Sequence, residues 1–185
     1  MKRMIKIVIN SINKTQKAKL IKAYTCMMPS YIPLNNNTIN NYLNHALHYA
    51  NKALLSEEVP IGAVIVHNEQ IISYGYNQTV TNNNIIDHAE IMAIQNASRA
   101  LKTHRLVNCD LYVTIEPCIM CVGAILHSRL RRVIFGAIEP KTGGVISQIN
   151  NITTNPTLNH QTEFIGPIDN IKYTINLKKF FQTKR

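Results

Sequence analysis

Apolar positions recur along the chain with two periods, and the switches between them divide it into elements. Leu43, Ala46, Leu47, Ala50, Ala53 and Leu54 fall at helical spacing, so residues 39–55 read as an amphipathic helix, with Pro60 shortly after its end. The β-rich runs IGAVIV (61–66) and IISYGY (71–76), joined across HNEQ, read as a hairpin. NQTVTNNN (77–84) is loop by composition. From Ala89 a second helix carries Met92, Ala93, Ala97, Ala100 and Leu101 on one face, while Ile91 and Ile94 widen its apolar surface, so much of its circumference is expected to be buried. LYVTI (111–115) alternates like a strand, residues 118–127 read as a short helix, and RVIFGA (132–137) reads as the next strand. Residues 150–160 form a polar loop, and a closing helix offers Leu177, Phe180 and Phe181 as apolar contacts. Helix, two strands, helix, strand, helix, strand predicts an α/β domain in three layers, α/β/α, with helices on both faces of one central mixed sheet.

A length of 185 residues is about one domain's worth. No apolar run approaches the roughly 18 residues a membrane helix needs, so a soluble, cytoplasmic protein is expected. The formal net charge of +10 is uneven: no Asp or Glu precedes Glu57, whereas Lys2, Arg3, Lys6, Lys14, Lys17, Lys19, Lys22 and Lys52 do. Residues 1–37 are therefore set apart as a basic N-terminal extension and residues 38–185 as the domain. Three readings of the extension stay open: an RNA-attracting arm, an organelle transit peptide, or a non-functional extension from an early start codon. The cysteines are Cys26, Cys109, Cys118 and Cys121. With no convincing signal peptide, a Cys-x-x-Cys pair points to a metal or redox site rather than a disulfide framework.

Candidate chemistry gathers where loops run into helices. His88 and Glu90 open the helix after the Asn-rich loop, and Cys118 and Cys121 open the helix after LYVTIEP, with Pro117 suited to a first helical position. The Cys-x-x-Cys spacing sets both sulfurs on one side of a first turn, where helix N–H groups favour thiolate. Two thiolates and an imidazole make three ligands for tetrahedral Zn²⁺, which leaves a fourth position for water, the arrangement of a catalytic zinc. Glu90 then lies within reach of that water without binding the metal, as a proton shuttle does. The competing readings are a redox pair, which has no need of the distant His-x-Glu, and a closed structural zinc, which needs a fourth ligand from His127 or Cys109. His45, His48, His67 and His104 read as ordinary packing or surface residues.

His-x-Glu followed about thirty residues later by Pro-Cys-x-x-Cys is the signature of zinc deaminases acting on nucleobases. EVPIGAVIVHN (58–68), HAEIMAI (88–94) and LYVTIEPCIMCVGAILHSRLRRVIFGA (111–137), with KTGG (141–144), Asn159, His160, Phe180 and Phe181, resemble the bacterial tRNA-specific adenosine deaminase family across about residues 40–185. The resemblance implies a cytidine-deaminase-like fold and hydrolytic conversion of the wobble adenosine to inosine in a tRNA anticodon stem-loop, most often of an arginine tRNA. It also implies a homodimer with one Zn²⁺ per subunit held by His88, Cys118 and Cys121, and Glu90 as the catalytic proton shuttle. Asn77 matches a residue that contacts the flipped nucleoside, and Ala89, Glu139 and Lys141 fall at further substrate-binding positions.

Three places depart from the family pattern. Glu139 stands where many relatives have Asp, Asp87 stands where they usually carry Thr or Ala, and residues 167–177 are richer in β-branched residues and Asn. The rival functions are a deaminase of a free base or nucleotide, of guanine or cytosine type, and a catalytically idle RNA-binding partner subunit.

Overall fold

The structure, a computed structural model, describes residues 34–147, 153, 155 and 157–183. Residues 1–33 of the basic extension and much of the 150–160 loop lie outside the described residues. The element order is α1 (Asn36–Leu55), β1 (Gly62–His67), β2 (Gln70–Tyr76), α2 (Ala89–Leu101), β3 (Cys109–Ile115), α3 (Ile119–His127), β4 (Arg132–Ala137), β5 (Glu163–Ile165) and α4 (Asn170–Thr183).

The five strands form one sheet in the order β2-β1-β3-β4-β5. β1 runs antiparallel to both β2 and β3, whereas β3, β4 and β5 are parallel. Among the described residues four helices cover it, as the mixed three-layer expectation required, and the fifth strand is an addition. EFI at 163–165 is too short to show a period, and its pairing with β4 is a tertiary contact that no local pattern announces.

Each face of the sheet has its own core. Ala63, Ile65, Val113 and Phe135 pack against Ala89, Ala93 and Ala97 of α2 and Val122 and Ile125 of α3 in one buried cluster. On the opposite face Tyr42 of α1 meets Tyr112 of β3 with ring centroids 4.9 Å apart. Alanines let α1 and α2 lie close to the strands, and glycines complete the approach: a Cβ at Gly62 would meet the backbone of Ala46 and Ala50, and one at Gly75 the backbone of Ala89 and Ala93. At the strand ends far from these contacts, Asp110 accepts forked hydrogen bonds from Arg131 and Arg132, which pins β3 to β4.

Boundaries differ from expectation where caps decide them. α1 begins three residues before Ile39, because the Asn35 side chain accepts from the Thr38 N–H and caps the helix. α3 begins at Ile119 with Cys118 as its N-cap, so Pro117 precedes the cap instead of occupying the first helical position. In α4, Tyr173 and Phe180 are buried while Phe181 is half exposed, so Phe181 is not the core contact expected of it.

Gly75 sets how closely the first turns of α2 lie on β2. Gly75→Ala is expected to cost roughly 1–3 kcal/mol by overpacking, measured as a lower urea midpoint. An unchanged midpoint would show that α2 does not rest on the strand there.

Candidate metal centre and its surrounding loops

Two N-caps face each other at this site. His88 caps α2 and Cys118 caps α3, both in extended backbone, and neither side chain makes a capping hydrogen bond. The capping that His88 omits is supplied from outside: Asn77, at the end of β2, accepts the Ala89 N–H through Oδ1 at 2.9 Å. His88 and Cys118 are thereby free to turn toward one another and toward Cys121, one turn into α3. His88 Nδ1 lies 3.7 Å from Cys118 Sγ and 3.6 Å from Cys121 Sγ, and the three ligand atoms lie within 4.8 Å of one another.

That geometry fits a zinc ion. With Zn–S near 2.3 Å and Zn–N near 2.0–2.1 Å, tetrahedral angles set the N···S separation at about 3.6 Å. Neither Cys109 nor His127 belongs to this cluster. Cys109 is buried at the start of β3, 3.6 Å from His67 Nδ1, and its thiol is pushed up to about 11, first by burial and then by Asp110. Among the described residues the cluster therefore has three members, with no fourth from either residue.

The electrostatics suit a cation. A hydrogen bond from the Cys121 thiol, and a further bond from His88, hold the Cys118 thiol down to about 4 against the effect of burial. Cys121 is shifted upward, because the neighbouring Cys118 thiolate and burial both resist a second negative charge. A divalent ion removes that conflict and lets both sulfurs ionise. Glu90 is almost fully buried, and burial pushes its carboxyl up to about 7, with a further upward push from Cys118 and downward pulls from His88 and Cys121.

Three further acids hold the loops around the cluster. Glu58 is completely buried and accepts Val80 N at 2.9 Å, Thr81 N at 2.7 Å and Thr79 Oγ1 at 3.2 Å. Glu116 is also buried and accepts from the backbone N–H of Glu139, Val145, Ile146 and Ser147 and from the Ser147 hydroxyl. Asp87 accepts from the side-chain amides of Asn82 and Asn84. The signal available for Glu116 was an acid between an apolar strand and Pro117, since a buried carboxylate needs donors, whereas Glu58, after Ser56 and Glu57, carried none.

The expected substrate residues divide into two groups. Asn77 and Ala89 are buried and bonded to each other beside His88. Glu139 and Lys141 sit on the loop after β4, where Lys141 N donates to Glu139 Oε1 at 3.0 Å. Glu116 holds this loop, and a bridge between Gly143 and Cys118 brings it against the metal ligands.

Residues 36–137 match the family described as the cytidine and deoxycytidylate deaminase zinc-binding region, which takes in every member of the cluster. A tRNA-specific adenosine deaminase of Haemophilus influenzae is 39% identical over 144 residues, 77% of this chain and 83% of the relative. This chain is a tRNA-specific adenosine deaminase family member. The Aquifex aeolicus deaminase of the same name is 46% identical over 123 residues, 66% of this chain and 81% of that one. A solved structure from a study of A-to-I editing by tRNA:A34 deaminases superposes with a TM-score of 0.65 at 40% identity, covering 68% of this chain and 96% of the other. A guanine deaminase from Bacillus subtilis superposes at a TM-score of 0.54 and 26% identity, over 80% of this chain and 95% of that one. The deaminase has no helix, among its described residues, long and apolar enough to cross a membrane.

Glu58 makes the fold of this site sensitive to acid. Burial raises its pKa, but the bonds from Thr81, Thr79 and Val80 outweigh burial and hold it below the ordinary 4.5. The folded state therefore gains stability above the unfolded value and loses it as pH falls below about 4.5. Between about pH 7 and about pH 3 the urea midpoint should fall more steeply for the parent protein than for Glu58→Gln. Equal slopes would rule out this role.

Proposed function

We propose that this deaminase converts adenosine to inosine at the wobble position of a tRNA anticodon, in an arginine tRNA, as a cytoplasmic homodimer. The observation that carries the reading is a three-ligand His/Cys/Cys cluster with a buried, unligated carboxylate beside it, in a chain akin to tRNA-specific adenosine deaminases. His88 Nδ1, Cys118 Sγ and Cys121 Sγ hold one zinc per subunit. Zinc bound there would supply the acidity that makes water a nucleophile at neutral pH, by lowering its pKa toward about 7.

Glu90 moves the protons. Its burial excludes solvent and keeps its affinity for a proton near that of water at such a site, so it can both accept and return one. It accepts the proton that water loses and delivers it to the ring nitrogen N1 as oxygen adds to C6. It next takes the proton of the new C6 hydroxyl and gives it to the departing amino group, the C6–N bond breaks as C6–O becomes a carbonyl, and water and adenosine have become inosine and ammonia. Asn77, whose Oδ1 is committed to Ala89, keeps its Nδ2 donors for the flipped nucleoside. An anticodon loop suits a buried site because its unpaired bases splay out at low cost. Glu139 and Lys141, on the loop held by Glu116, serve the neighbouring nucleotides. Ile119 and Met120, exposed at the start of α3 beside the ligands, support an apolar contact between subunits.

Glu90→Gln should keep its zinc and lose about 10²- to 10⁴-fold in kcat for inosine formation on an anticodon stem-loop. Full activity in that variant would remove Glu90 from the proton transfers. Turnover of free guanine or cytidine, with no inosine from the stem-loop, would transfer the function to the free-base class. Zinc binding with no turnover of any of these would support an idle partner subunit.

A further inference from the structure

The loop of residues 78–87 is the connection between Asn77 and His88, and two carboxylates hold its halves. Glu58 gathers Thr79, Val80 and Thr81 on the first half. Asp87 gathers the second: its Oδ2 accepts Asn82 Nδ2 at 2.7 Å and its Oδ1 accepts Asn84 Nδ2 at 2.8 Å. Backbone bonds close the circuit beside the metal ligand, from Gln78 N to Asp87 O at 3.0 Å and from Asp87 N to Asn84 O at 3.1 Å.

Asp87 is 7% exposed, and it is bonded to neutral amides instead of a cation. A buried carboxylate is costly unless its lone pairs are used, and these two amides use them. What the bonds hold in place is otherwise an open, polar loop. It displays Val80 at 70% and Ile85 at 84% exposure on the stretch that borders His88 and Asn77.

We propose that Asp87 is a positioning residue for the reaction: through Asn82 and Asn84 it sets residues 78–86 as a preformed wall of the RNA site. The anticodon loop then binds without first having to order this segment, and a binding partner that needs no ordering is bound more tightly. The proposal rests on the tRNA reading above. Because Asp87 touches neither the zinc ligands' side chains nor Glu90 by a hydrogen bond, its removal is felt in RNA binding and spares the chemical step.

The test compares three variants of the zinc-loaded full chain: Asp87→Ala, Asn82→Ala/Asn84→Ala, and all three changes together. Each is assayed for zinc content, for kcat and KM on an anticodon stem-loop, and for amide hydrogen exchange. In Asp87→Ala, KM rises about ten- to a hundredfold, kcat stays within about threefold, and zinc stays at the parental level. Exchange at the Asn84 and Asp87 amides speeds up at least about tenfold, while the strand amides of β1 and β3 are unchanged. The asparagine pair reproduces the KM rise, and the triple variant adds nothing to it, since all three residues act as one unit. A parental KM in Asp87→Ala, even with a lower melting temperature, would overturn the proposal by leaving the residue a merely structural role. Loss of zinc, or a KM rise in the triple variant equal to the product of the separate rises, would overturn it as well. If the parent protein forms no inosine, the tRNA reading has failed, and the exchange comparison alone decides whether Asp87 orders the loop.

Discussion

Two helices that start side by side on one face of the sheet determine what this site can be. β2 and β3 point the same way, with β1 running antiparallel between them, and each feeds a helix from its C-terminal end. Connections that leave parallel strands in one direction keep one hand, so α2 and α3 both fall on the same face with their N-termini together. Open α/β sheets hold ligands outside the carboxyl ends of their strands for the same topological reason. Here two members of the three-residue cluster, His88 and Cys118, are the N-caps themselves. His88 and Cys118 give up capping their own helices, and their extended backbone aims both side chains into the gap. The 3.6 and 3.7 Å nitrogen–sulfur separations follow from helix placement, with no long side chain reaching across.

Placement of that kind needs the flanking loops to be stiff, and buried carboxylates make them so. Glu116 ends the segment that enters α3 and collects five donors from residues 139–147, which then lie against Cys118. Glu58 does the same for the segment before α2. Each acid is held by backbone amides of a neighbouring loop, so the cost of burying its charge is offset only when that loop adopts one conformation. The loops are thereby tied to the strand ends, around a cluster with the buried carboxylate of Glu90 in the same helix start.

Most of this architecture is legible in the residues. Helical and alternating spacings find four helices and four strands, because each of those elements buries one face over several residues. His-x-Glu and Pro-Cys-x-x-Cys point to the residues that the fold gathers, His88, Cys118 and Cys121 with Glu90 buried in the same helix start, because zinc chemistry restricts both residue type and spacing. What escapes is whatever depends on partners distant in sequence. β5 owes its existence to β4, Asn77 to the uncapped Ala89 amide, and the three loop-holding acids to donors that no window of sequence contains. Asp87 shows this best: beside its metal-ligand neighbour it reads as a charged helix start, yet its carboxylate belongs to the loop behind it. Phe181 errs the other way, since an aromatic near a helix end is expected inside and lies half exposed.

The account stands on an open, three-ligand centre, and X-ray absorption at the zinc edge of the purified protein tests that most directly. It predicts two sulfur neighbours at about 2.3 Å and two lighter neighbours, one an imidazole nitrogen, at about 2.0–2.1 Å. Four protein ligands with a third sulfur, or a spectrum without imidazole, would contradict it.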